Sequence, residues 1–71
     1  MLRDYVVTDG PTIKTPVCAE SFAVLPQKEW LQFYVKKRCV AIFRYAHWDT
    51  VYEVTADARN PQVVYRREFS A

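Results

Sequence analysis

Glycine is nearly absent from this chain, with Gly10 as the single example in 71 residues. Loops that cradle phosphate groups need several glycines, because their backbone amides must approach the ligand closely. The sequence therefore lacks the common nucleotide-binding loops. Gly10 itself stands between Asp9 and Pro11, a combination that favours a turn.

Histidine and cysteine are also scarce, which limits catalytic and metal chemistry. His47 is the single histidine, the side chain that most often serves as a general base near neutral pH. Cys39 lies about 26 Å from it along an extended strand, too far for a thiol–imidazole pair. Cys18 and Cys39 lack the close spacing of zinc ligands. We therefore expect no enzyme activity, no metal and no cofactor.

Long apolar runs are missing as well. No segment approaches the ~18 apolar residues of a membrane helix. The N-terminus reaches Asp4 before any apolar run of the length found in signal peptides. We therefore expect a cytoplasmic protein, in the host cytoplasm if a phage encodes it, with no membrane partner. Both cysteines are then expected to be reduced and buried.

The amino-acid composition indicates one small globular domain spanning residues 1–71. Hydrophobic residues make up 51% of the chain and charged residues 25%, which suits a packed core. Folding costs about 100 kcal/mol of conformational entropy at this length, which so small a core barely offsets. A homodimer or a partner protein would therefore help to stabilise the domain.

The second half of the chain predicts a three-stranded antiparallel meander over about 39–69. Aromatic and β-branched residues are dense there, as is typical of strands. One register places Arg44 opposite Glu53 and Glu53 opposite Arg66, and such opposite-charge pairs favour a register. The strands are expected at residues 39–48, 50–56 and 62–69.

The first half predicts a short β-hairpin about Gly10, followed by a helix over about 26–38. Trp30, Leu31 and Phe33 belong to a broad apolar side at helical spacing. Pro26 suits the first turn of a helix, and the basic run at residues 36–38 suits its last turn. The expected fold class is therefore α+β, an antiparallel sheet packed by one helix.

An all-β, barrel-like fold is the alternative. Leu31, Phe33 and Val35 also alternate with polar or amphipathic residues, as in a strand. Residues 36–38 would then form a hairpin loop, although they include no glycine or asparagine, the residues that tight hairpins favour.

The functional hypothesis is a small non-enzymatic module that binds another protein. One face of the expected meander would carry apolar and arginine side chains, with a tryptophan projecting beside it, as in protein-binding hot spots. Its residues would be Trp48, Arg44, Arg66, Ile42, Val51 and Val64. Such a module would act as a stoichiometric binder or inhibitor of a larger macromolecular machine, of the accessory type encoded by phages and mobile elements.

Nucleic-acid or ribonucleoprotein binding is the first alternative. Residues 36–71 carry seven basic and four acidic groups, and a basic stripe would contact phosphates. The stripe would comprise Lys36, Lys37, Arg38, Arg66 and Arg67. The pI of 8.7 lies slightly below the value of about 9 typical of nucleic-acid-binding domains. A structural subunit of a permanent assembly is the second alternative.

Overall fold

The computed structural model describes residues 1–25, 27, 29–55 and 61–67, and these residues form seven β-strands. The strands are β1 (Arg3–Asp9), β2 (Ile13–Ala19), β3 (Ser21–Leu25), β4 (Trp30–Val35), β5 (Arg38–Phe43), β6 (Thr50–Val54) and β7 (Gln62–Arg66). The described part of the chain is all-β, so it includes no helix that could cross a membrane. The expected α+β class is therefore wrong, and the all-β class of the alternative is the one observed, as two sheets.

The strands form two antiparallel sheets, one of four strands in the order β2-β1-β6-β7 and one of three in the order β3-β4-β5. Glu20 alone separates β2 from β3, so the chain passes directly from one sheet to the other. Beyond the far end of β3, Glu29 forms an ion pair of 2.8 Å with Arg67, which follows β7. The two sheets are therefore joined at both ends of β3, by the chain itself at its start and by this ion pair beyond its end.

The helix expected over 26–38 is wrong. Trp30–Val35 is strand β4, and Lys36 and Lys37 form a two-residue turn into β5. Both lysines have positive φ, 50° and 66°, which is the backbone conformation of a type I′ hairpin turn. The strand forms because Leu31 and Phe33 alternate along it and are both fully buried between the sheets. Pro26, the expected start of the helix, lies outside the described residues.

The expected C-terminal meander is also wrong. Strand β5 pairs with β4, and β6 pairs with β1 and β7, so Arg44 and Glu53 belong to different sheets. Glu53 instead forms an ion pair of 3.2 Å with Arg3 on β1. The pairing of β6 with β7 is present, but Glu53 faces Gln62 and not Arg66. A bulge at Val64 shifts this register. The loop expected between these two strands lies outside the described residues.

The N-terminal hairpin is confirmed and is longer than expected. Strand β1 pairs with β2 from Arg3 opposite Ala19 to Asp9 opposite Ile13. Gly10 begins the turn with a φ of 74°, the left-handed conformation that glycine adopts without steric cost.

Aromatic rings from both sheets meet in the core. Tyr5 of β1 lies 5.6 Å from Phe22 and 5.3 Å from Phe33, between ring centroids. The buried hydrophobic residues are Tyr5, Val7, Ala19, Leu31, Phe33, Trp48 and Val51. Because strand side chains alternate between faces, each sheet also has an outer face that points away from this core.

Candidate protein-binding surface

The structure separates the six side chains that were expected on one partner-binding face. Ile42 lies on β5 and Arg44 directly follows that strand, so both belong to the three-stranded sheet. Val64 and Arg66 lie on β7, at the edge of the other sheet. The remaining two, Trp48 and Val51, are in the core. The expected face does not exist, because β5 and β6 do not pair.

Trp48 does not project from a turn. It is 1% exposed, and its ring lies 5.8 Å from that of Tyr65. Its indole Nε1 donates a hydrogen bond of 2.9 Å to the carbonyl oxygen of Glu29, which satisfies the single polar group of a buried tryptophan. Val51 is fully buried on the inner side of β6. Both residues contribute to folding and are not available to a partner.

Arg67, expected in the basic stripe, is 7% exposed. Its Nη2 donates to the carboxylate of Glu29 at 2.8 Å, and its guanidinium carbon lies 4.4 Å from the centroid of the Tyr45 ring. A backbone hydrogen bond from Arg67 to Asp49 fixes the chain beside this pair. Arg67 therefore joins the end of β7 to Glu29, which precedes β4, and to the connection between β5 and β6. A buried guanidinium is held in this way by a carboxylate and aromatic rings.

Lys36, Lys37 and Arg38 lie together at the exposed tip of the β4–β5 hairpin. The backbone amide of Lys36 donates to a carboxylate oxygen of Glu20 at 2.5 Å. This hydrogen bond, and then the N-terminal ammonium group 3.0 Å away, lower the pKa of Glu20. The tip is therefore cationic, with one carboxylate at its base.

The outer face of the three-stranded sheet carries a cluster that we call the Trp30 face, comprising the partly buried Leu25, Trp30 and Gln32 and the exposed Ile42 and Arg44. Leu25 is paired with Trp30, and Gln32 is paired with Ile42, so these side chains are neighbours. The Arg44 guanidinium carbon lies 5.8 Å from the centroid of the Trp30 ring. Ile42 is 50% exposed beside them.

Ile42 and Arg44 are the two members of this face that the sequence predicts in a binding surface. Trp30 is not predicted there, because the expected helix over 26–38 includes it. The alternation of Leu31, Phe33 and Val35 is the signal that would have placed it correctly, because neighbours on a strand point to opposite sides. With Leu31 inside, Trp30 must lie outside.

Asp49 braces the loop before β6. Its two carboxylate oxygens accept hydrogen bonds from the Thr8 hydroxyl at 2.6 Å and from the Gly10 amide at 2.7 Å. Partial burial favours a higher pKa for Asp49, but hydrogen bonds from Thr8, Gly10 and Thr50, together with the charge of Arg66, lower it. The carboxylate ties the hairpin turn to the end of the loop.

The side chains capable of nucleophilic or metal chemistry are dispersed. Cys18 and Cys39 are unpaired, as expected, but both are exposed and not buried. His47 is exposed, and its backbone amide donates to the carbonyl of Arg44 at 3.0 Å. Within the described residues no three histidine, cysteine, aspartate or glutamate side chains converge as a metal site would require.

Comparisons with known proteins give no relationship: the chain matches no family model, no curated protein and no solved structure.

Proposed function

We propose that this protein is a small non-enzymatic module that binds another protein through the Trp30 face. The observation that carries the proposal is the arginine stacked over a tryptophan, Arg44 on Trp30, beside the half-exposed Ile42. Tryptophan and arginine are the residue types most enriched in binding hot spots, where a partner covers them fully.

The energetics favour a partner on this face. Covering a fully exposed isoleucine side chain contributes about 1.5–3 kcal/mol, and Ile42 retains half of its exposure. A cation–π contact contributes about 0.5–1 kcal/mol when exposed and about 2 kcal/mol when desolvated. A partner that excludes water from Arg44 and Trp30 would therefore strengthen a contact that the free protein already holds in place.

The proposed role is that of a stoichiometric binder or inhibitor of a larger macromolecular machine, of the kind that phages and mobile elements encode. A domain of 71 residues can act on a much larger partner by occupying its surface. The proposed location is the cytoplasm, where the unpaired, exposed Cys18 and Cys39 would remain reduced. A permanent-assembly subunit would differ by requiring its neighbours for solubility.

Nucleic-acid binding by the hairpin tip is the second candidate. Lys36, Lys37 and Arg38 are consecutive and exposed, which supports contact with phosphates. Arg67 is buried in its ion pair and would not take part. Three phosphate contacts predict a logarithmic salt dependence of binding with a slope of about −2 for a single strand.

Capture from a lysate of the source organism, or of its host, distinguishes these candidates. The immobilised protein is compared with Ile42→Asp and Arg44→Glu, with and without nuclease, at low and high salt. Val63→Asp is the matched control, because Val63 is 47% exposed on the other sheet. Bound proteins are quantified by mass spectrometry.

The proposal predicts one stoichiometric protein that resists nuclease and high salt. Its recovery should fall at least about fivefold with Ile42→Asp or Arg44→Glu, as in hot-spot truncation, and should be unchanged with Val63→Asp. Loss of all partners on nuclease treatment would instead support nucleic-acid binding by the hairpin tip. Equal recovery by all four proteins would remove the Trp30 face from the interaction.

A further inference from the structure

The outer face of the four-stranded sheet separates positive from negative charge. Lys14 on β2 and Arg66 on β7 lie in one cross-strand row, which Thr8 and Thr50 complete. Asp4 lies two rows further along the sheet, about 13 Å away at 3.3 Å per residue. Lys14 and Asp4 form no ion pair with any described residue.

The positive end keeps its sign despite a neighbouring carboxylate. Asp49 lies close enough to interact with Arg66, but its oxygens already accept hydrogen bonds from Thr8 and Gly10. Two cations and one anion leave this end with a charge of +1, whereas Asp4 gives the other end −1. The face therefore carries opposite charges at its two ends.

The surface between the charged ends is apolar. The middle row includes Val6, Tyr52 and Val63, with Val63 47% exposed. Val54, in the row of Asp4, is 36% exposed. An apolar centre between opposite charges can pack against an identical surface, provided that the second copy is turned end for end.

We propose that a second copy of this chain docks on this face to form a symmetric dimer. A two-fold axis that crosses the strands at the middle row stacks Val6, Tyr52 and Val63 on the same row of the partner. It also brings Lys14 of each copy near Asp4 of the other. A two-fold axis along the strands would instead place Lys14 of one copy over Arg66 of the other, and these like charges repel. Charge thus selects the first arrangement.

The available area indicates a weak dimer. Four strands 4.8 Å apart and about six residues long present roughly 400 Å². Standard interfaces bury about 800 Å² on each partner, so this contact is about half that size. Association is therefore expected only at high protein concentration. This dimer does not depend on the proposed function, because it uses the sheet opposite the Trp30 face.

Sedimentation velocity on the full chain, from about 10 µM to about 1 mM, tests the proposal. The wild type is expected to pass from monomer to dimer within this range. Val63→Asp should abolish dimerisation, whereas Ile42→Asp, a matched change on the other sheet, should not affect it. Lys14→Asp and Asp4→Lys should each weaken the dimer at least about fivefold, because each lost pair occurs twice.

The charge-swapped variant Lys14→Asp/Asp4→Lys gives the sharpest result, since it should recover most of the wild-type affinity. Arg38→Asp changes the net charge as Lys14→Asp does, at the exposed hairpin tip, and should leave dimerisation unchanged. A wild type that stays monomeric throughout would overturn the proposal and leave the face to another protein. A dimer indifferent to Val63→Asp, or a charge swap that fails to rescue, would overturn it as well.

Discussion

Replacing Trp48 by alanine should remove most or all of the free energy of unfolding of the domain. The structure places this ring in the core at 1% exposure, in contact with Tyr65, and its Nε1 donates a hydrogen bond to the carbonyl of Glu29. Truncating a buried tryptophan costs about 3–5 kcal/mol. Losing the hydrogen bond adds about 1 kcal/mol.

The total of about 4–6 kcal/mol is large for so short a chain. At about 0.05–0.15 kcal/mol per residue, the whole domain has a free energy of unfolding of about 4–10 kcal/mol. Trp48→Ala should therefore leave little or no stability. Trp48→Phe keeps most of the ring volume and should cost about 1–2 kcal/mol, mainly through the lost hydrogen bond.

Urea denaturation followed by circular dichroism measures these values. Trp30→Ala is the matched control, because Trp30 lies on an outer sheet face and its removal should cost less than half as much. If Trp48→Ala lowered the free energy of unfolding by less than about 1 kcal/mol, Trp48 could not be a core residue, and the packing of the 44–49 loop against the sheets would be wrong.

Two further perturbations test local structure. The lowered pKa of Asp49 means that its contribution to stability is complete above its ordinary pKa of 3.8 and is lost as the pH falls through the lower folded-state pKa. Asp49→Asn should therefore make the free energy of unfolding, measured by urea titration, fall less steeply between pH 5 and pH 2. An unchanged slope would show that the Asp49 carboxylate does not contribute to this loss of stability. Lys36 and Lys37 occupy left-handed conformations that cost about 1 kcal/mol each. The double variant Lys36→Asn/Lys37→Gly should therefore raise the free energy of unfolding by about 1–2 kcal/mol. An unchanged or lower melting temperature would contradict the type I′ turn.

The sequence predicts its N-terminal hairpin well because the signal is local. Gly10 at a φ of 74° begins the turn, and Pro11 follows it, so residues adjacent in the chain determine the structure. The hairpin extends further than expected because β1 is a central strand, paired with β6 as well as β2.

The helix error arises from a local preference that tertiary contacts override. Two lysines are unfavourable in a type I′ turn, whereas a basic run suits the last turn of a helix, so the local preference favours the helix. In the structure the Lys36 amide is satisfied by Glu20, a residue sixteen positions earlier in the chain. The burial of Leu31 and Phe33 against the opposite sheet compensates for the turn. Neither contact is visible in the sequence near residue 36.

The sequence predicts the site only in part, because charge pairs do not determine the order of the strands. The expected meander aligns Arg44, Glu53 and Arg66, but such charge pairs contribute too little free energy to decide the order of the strands. The actual order is decided by core burial, which brings β6 beside β1 and moves Trp48 inside. Ile42 and Arg44 are exposed in the observed fold as well as in the expected one. The observed fold places Trp30 beside them on the Trp30 face.

Chemical-shift mapping tests the proposed binding surface most directly. The ¹⁵N-labelled protein would be titrated with the purified captured partner, and the shifted amide and indole signals assigned. The shifts should concentrate at Trp30, Ile42 and Arg44 on the outer face of the three-stranded sheet. Shifts confined to the hairpin tip at Lys36–Arg38, or to the four-stranded sheet, would contradict it.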